Sequence, residues 1–209
     1  MSSRHTPNTV AIFDKLAHRY QEKYADVRRY EHGLNLFCDG LPPSASVLEL
    51  ACGPGNVTRY LLDLRPDLRI DATDLAPNMI AIGKTVAPEA RFEIIDCRLA
   101  VKTGRVFDAV VAAFCLPYLD QTEVKALFAD VARTLPKGGI FYVSTMEDDY
   151  SQSGFEAGSS GDLVYMHYHT GIFLTDALAG CGLSVVFEQR LPFETPKPGT
   201  DLILIARKN

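Results

Sequence analysis

No stretch of this chain is apolar enough to cross a bilayer. The longest apolar run, Ala109 to Leu116, is far shorter than the ~20 residues a spanning helix needs. The first residues, Met1 to Asn8, are polar and lack the apolar segment of a secretory signal. A disulfide or zinc framework is missing as well. The five cysteines stand at 38, 52, 97, 115 and 181, odd in number, widely spaced and without a C-x-x-C pair. They read as reduced thiols in apolar surroundings. There is no basic patch: Arg4-His5 and Arg28-Arg29 are isolated, and the net charge is −5. Such a field does not draw polyanions or anionic lipid. Internal repeats, linkers and low-complexity tracts are absent too. These absences predict a cytoplasmic protein, monomer or homodimer, with neither nucleic acid nor membrane as partner.

What is present suits one α/β domain. The 209 residues are 47% hydrophobic and 22% charged, enough to bury a sizeable core. The chain is organised around Val47 to Thr58. Val47-Leu48-Glu49-Leu50-Ala51 reads as a short buried strand, and Val57, Tyr60, Leu61 and Leu64 recur at helical spacing. Asn56 is expected to cap that helix. Gly53 and Gly55 lie between, able to take positive φ and to let a ligand approach the backbone. The N–H groups opening the helix would face that ligand. A dinucleotide turn would want a third glycine where Thr58 stands, and has no use for Glu49 inside the strand.

Glu49-Leu50-Ala51-Cys52-Gly53-Pro54-Gly55-Asn56 closely resembles the first motif of class I S-adenosylmethionine (SAM)-dependent methyltransferases. Ala51 is the departure, standing where that motif usually has glycine. Asp74 follows Gly55 by 19 residues, the spacing at which an α/β nucleotide site sets an acid on the ribose. One carboxylate accepts from both ribose hydroxyls. Asp74-Leu75-Ala76-Pro77-Asn78-Met79 resembles the second motif, with Ala76 replacing a serine. The resemblance implies that Leu75 and Met79 flank the adenine, that Asp96 accepts from its amino group, and that the Cys97 N–H donates to its ring. It also implies backbone contacts around Ala51 and Cys52, with Glu49 near the methionine end. Ala113, Phe114, Leu116 and Tyr118, after the apolar strand 106–114, become candidates for the wall around the transferred methyl.

The fold so implied is α/β and Rossmann-like. A mostly parallel seven-stranded sheet with an antiparallel last strand carries helices on both faces and an N-terminal helical cap. Residues 1–209 form a single domain, 1–40 the cap and 44–209 the α/β core. A helix over 9–24 and another over 26–38 build the cap, which presents Tyr20 and Tyr24. The Gly-, Ser- and acid-rich stretch 147–161 reads as a loop with the character of a lid. Tyr165, His167, Tyr168 and His169 are candidate acceptor contacts, with His167 or His169 able to serve as a base. Two histidines two apart, with no third ligand nearby in sequence, do not predict a metal. The expected activity is methyl transfer from SAM to a small molecule, releasing S-adenosylhomocysteine (SAH). The other reading is a SAM- or SAH-binding sensor or partner module without catalysis.

Overall fold

A computed structural model describes residues 6–158, 161–194 and 198–209. Arg4-His5 thus lies outside the described residues. The strand that precedes the glycine turn, β1 (Ser46–Leu50), is buried from Val47 to Leu50. A strand covered on both faces is mostly apolar on both, as central parallel strands are. Accordingly β1 lies between β2 (Arg69–Asp74) and β4 (Ala109–Ala113), parallel to both. With β3 (Arg91–Ile94), β5 (Ile140–Glu147), β8 (Leu183–Phe193) and β9 (Gly199–Lys208), the sheet has seven strands in the order β3-β2-β1-β4-β5-β9-β8. β9 runs antiparallel to β5 and β8 antiparallel to β9. The terminal pair forms as expected, and is longer than the sequence suggested.

Helices cover both faces. α4 (Asn56–Leu64) and α3 (Glu31–Asp39) bury Leu61, Leu34 and Phe37 against Val47, Val111 and Tyr142. On the other face α7 (Gln121–Thr134) and α8 (Gly171–Ala179) bury Phe128, Val131 and Leu174 against Leu48, Val110 and Phe141. A full capping box fixes the start of α7: Asp120 accepts from the Glu123 N–H while Glu123 accepts from the Asp120 N–H. α5 (Pro77–Val86) links β2 to β3, and α6 (Cys97–Ala100) follows β3.

Five local expectations change. The helix over 9–24 is two, α1 (Thr6–Lys15) and α2 (Ala17–Tyr24), meeting at Leu16 with φ −99° and ψ 7°. Hydrogen bonds from the Leu16 N–H to Ile12 and from the Tyr20 N–H to Leu16 run through the junction, so it is a kink. The helix over 26–38 opens with a 3₁₀ turn at Arg28–Tyr30 before α3, because the Asp26 carboxylate takes the Arg28 N–H and guanidinium. Asn56 does not cap α4. Gly55 does, at φ 81°, and the Asn56 amide instead donates to the Tyr24 carbonyl at 2.7 Å. The strand expected over 106–114 is shorter: Val106 is exposed and β4 begins at Ala109. Most consequential, the stretch 147–161 is no simple loop. It extends β5 to Glu147 and then forms β6 (Gly154–Ala157), which pairs antiparallel with β7 (Leu163–Met166).

This hairpin and the N-terminal helices meet above the sheet. Val164, Met166 and Tyr168 pack with Ile12, Phe13, Tyr118 and Met146. Lys15 reaches Asp162 at 3.3 Å. Asp14 accepts from the Asn78 N–H at 2.6 Å, fastening α1 to the start of α5. Among the described residues no helix is long and apolar enough to cross a membrane.

Candidate functional site

A cleft opens beyond the carboxyl ends of β1, β2 and β4, where the strand order reverses. It encloses about 940 Å³ of empty space, a figure that includes open solvent. Its floor is the turn after β1. Ala51 at φ 52°, Gly53 at φ 54° and Gly55 at φ 81° all lie in the left-handed region. The two glycines do different work. A Cβ on Gly53 would have only Tyr20 near it, at 3.9 Å, so the backbone is open to a ligand there. A Cβ on Gly55 would press on Phe92 at 3.1 Å and Gly83 at 3.3 Å, so this glycine serves packing of the turn against α5 and β3. Ala51 pays a steric penalty in that region that glycine would not. Ala51→Gly is therefore expected to raise stability by roughly 0.5–1 kcal/mol, after the greater entropy that glycine loses on folding. A urea midpoint at or below that of the wild type would contradict this strain.

Three acids surround the turn, in three different states. Asp74, at the end of β2, accepts from the Gly53 N–H at 2.9 Å and the Ala76 N–H at 2.8 Å. It ties the turn to β2 and still faces the cleft. Burial pushes its carboxyl up, against the pull of the N–H groups of Ala76, Gly53 and Leu75. Asp96 also lines the cleft, capping α6. Burial works to raise it, yet Arg98 holds it below the ordinary carboxylate range. The Arg98 N–H and Nε both reach one oxygen, at 2.9 and 2.8 Å, and the guanidinium reaches the other. Most of its acceptor capacity is thus in use. Arg98 extends the network to Glu123.

Glu49 is 1% exposed and outside the cleft. The Thr58 hydroxyl donates to it at 2.6 Å. Burial pushes its carboxyl up to about 7, and the Thr58 bond only partly opposes this. Folded chains keep that proton to about pH 7, whereas unfolded chains lose it near the ordinary value of 4.5. Between those values folding takes up a proton, so stability falls as pH rises. Glu49→Gln keeps an acceptor for Thr58 and removes the titration. Relative to that variant, the wild type is expected to lose on the order of 3 kcal/mol across the window. Parallel pH profiles of the two melting temperatures would contradict the assignment.

The opposite wall comes from the N-terminal helices, the turn after β4 and the hairpin. Phe13, Tyr20, Tyr118, Tyr165 and His167 all line it. Phe13 meets Tyr118 edge-on at 5.3 Å and Tyr20 at 5.8 Å, and Tyr165 lies 4.9 Å from the His167 ring. Three acceptor candidates do not reach the cleft. Tyr24 is exposed and stacks on Tyr20. The Tyr168 hydroxyl donates to Glu156 at 2.5 Å, within the hairpin. His169 is fully buried, its Nε2 shared by the Leu116 and Leu119 carbonyls at 3.3 and 3.0 Å. Two carbonyls require an N–H there, and burial holds the ring neutral by lowering its pKa. His169 therefore pins the turn that carries Tyr118. It is no base for a reaction in the cleft. Among the described residues no group of three His, Cys, Asp or Glu is placed to hold a metal.

Residues 47–139 match the family model described as a methyltransferase domain. Over that stretch, a little under half of its length, the chain is similar to a methyltransferase domain. Its relatives include the trans-aconitate 2-methyltransferase of Variovorax paradoxus, 33% identical over 94 residues, which are 44% of this chain and 36% of that protein. The chain spans between about a third and three fifths of the length of the first curated relatives it matches. Among solved structures, the 1,6-didemethyltoxoflavin-N1-methyltransferase of Burkholderia thailandensis superposes with a TM-score of 0.73 at 22% identity, over 100% of this chain and 92% of that one. It was solved with 1,6-didemethyltoxoflavin and SAH. The DhpI–SAH complex gives a TM-score of 0.74 at 20% identity, over 100% and 99% of the two chains. At those identities they show the fold.

Of the residues picked out by the motifs, the fold brings Ala51, Gly53, Asp74, Leu75, Met79, Asp96, Cys97, Ala113, Phe114 and Tyr118 to the cleft. Cys52, Gly55, Asn56, Glu49 and Leu116 stand behind it. The thiol of Cys52 is buried and points to the Gly53 carbonyl at 3.5 Å. Ala76 of the second motif also lines the cleft, as do Thr6, Thr9, Val10, Phe13, Ile95, Arg98, Cys115 and Leu119, which motif reading does not reach. Among these, the helix expected over 9–24 takes in Thr9, Val10 and Phe13 without setting them at a cleft.

Proposed function

We propose that this chain transfers a methyl group from SAM to a small-molecule acceptor. One observation carries the reading. The Asp74 carboxylate lies at the end of β2, accepts from the Gly53 N–H, and faces a cleft whose backbone at Gly53 is open. An acid so held suits a pair of ribose hydroxyls. Leu75 and Met79 suit the adenine faces. Asp96 suits its amino group through whatever acceptor capacity Arg98 leaves, and the Cys97 N–H suits the ring. The peptide groups around Ala51 suit the methionine end.

When bound, SAM supplies an activated methyl on a positive sulfonium. The chain's own part is to orient the acceptor and exclude water. Phe13, Tyr20, Tyr118 and Tyr165 build a dry wall opposite the turn, with α1, α2 and the hairpin closing it. The segment 1–40 acts as a cap on a core of residues 44–209, in one functional unit. His167 is the one imidazole lining the cleft among the described residues, and is the candidate to take a proton from an acceptor that must lose one.

The test is SAH release from SAM with and without pooled metabolite fractions. Acceptor-dependent release that His167→Gln lowers at least roughly tenfold, with SAM affinity retained, supports the reading. Tight SAM binding with no product across broad pools would instead mark a sensor or partner module.

A further inference from the structure

The charge and shape of the wall opposite the turn point to a class of acceptor. We propose that the acceptor is an uncharged planar ring compound with a neutral hydrogen-bonding group, and not a carboxylate. This rests on the methyltransferase reading above.

The charge argument comes first. A buried carboxylate needs a cation, and a bidentate arginine is the usual answer. Among the described residues the cleft is lined by a single guanidinium, that of Arg98. It is held by Asp96 and Glu123. Two carboxylates, Asp74 and Asp96, already face the cleft. An acceptor anion would add a third negative charge and meet no guanidinium or ammonium beyond the one that Asp96 and Glu123 hold, His167 being the one other basic side chain that lines the cleft among the described residues. A protonated amine fails for another reason. Its lone pair is occupied by the proton, so it is no nucleophile, and it would lie beside the positive sulfonium.

The shape argument is independent. Phe13, Tyr20, Tyr118 and Tyr165 meet one another or the cleft at edge-on and tilted angles. Walls of this kind take flat rings through edge and face contacts.

One polar atom then fixes the kind of substituent. The Thr6 Oγ1 is buried with no hydrogen-bond partner, and Thr6 lines the cleft. A buried hydroxyl left alone is costly. A ring carbonyl, hydroxyl or N–H would satisfy it without introducing charge.

The test uses three ligands on one ring: 2-naphthol, 2-naphthoate and 2-naphthylmethylammonium, titrated into the full chain saturated with SAH near neutral pH. The proposal expects 2-naphthol to bind about tenfold or more tighter than either ion. It expects Thr6→Val to weaken 2-naphthol about fivefold and leave SAH affinity unchanged. Naphthoate binding as tightly as naphthol would overturn it. So would trans-aconitate binding where no naphthalene does, or a Thr6→Val variant with unaltered naphthol affinity. A chain that binds no SAH at all fails earlier, at the methyltransferase reading, and takes this proposal with it.

Discussion

Replacing Asp74 by Asn is expected to weaken SAM binding about 100-fold, the effect of losing two charge-assisted hydrogen bonds. The wild-type carboxylate accepts from the N–H groups of Gly53 and Ala76 on one side and faces the cleft on the other. Asparagine has a single oxygen. Whichever way its amide turns, an NH₂ group faces a backbone N–H or a ribose hydroxyl that needs an acceptor. The cost falls on the turn as well as the ligand, so stability should fall by about 1–2 kcal/mol. Isothermal titration with SAM and a urea melt read the two effects separately. Affinity within about threefold of the wild type would mean that Asp74 serves the turn alone.

Gly83→Ala is expected to destabilise the chain by roughly 2 kcal/mol, against the helix propensity of the residues involved. In a helix interior, alanine is ordinarily better than glycine by about 1 kcal/mol. Gly83 lies within α5, and the opposite sign is predicted because of what faces it. A Cβ there would sit 2.5 Å from one ring carbon of Phe92 and 2.9 Å from another. Phe92 is 5% exposed, and its ring also lies against Gly55. The ring is therefore held between a helix and the cofactor turn, and cannot move from one without pressing on the other. Phe92→Leu in the same chain should recover at least half of the loss, as coupled neighbours do. A Gly83→Ala variant more stable than the wild type would show that the slot is loose.

These two positions also show what the sequence makes legible. The place of Asp74 beside the Gly53 turn was legible because its distance from the glycines is fixed in the sequence. The strand–turn–helix around Gly53 was legible because hydrophobic periodicity changes there from a buried strand to an amphipathic helix. The packing duty of Gly55 was not legible. A glycine needed for close packing and one needed for ligand approach look the same until Phe92 is placed beside it.

The far wall was harder for related reasons. The stripe of the first helix was visible, but its docking depends on Asp14 reaching Asn78, a contact between distant segments. The hairpin was hidden by composition. β6 is short, half-exposed and built from Gly, Phe, Glu and Ala, so it carries little strand propensity of its own. Once β7 ends at Met166, the alternation predicted for 165–170 stops. His167 is left at the cleft and His169 beneath the turn of Leu116 to Leu119.

The central claim is that the Gly53 turn and Asp74 hold SAM and no dinucleotide. It is tested most directly by titrating the full chain with SAH and, separately, with NAD. The account predicts saturable one-to-one binding of SAH, weakened about 100-fold in Asp74→Asn, with no heat and no thermal shift from NAD. Binding of NAD with SAH silent would contradict it.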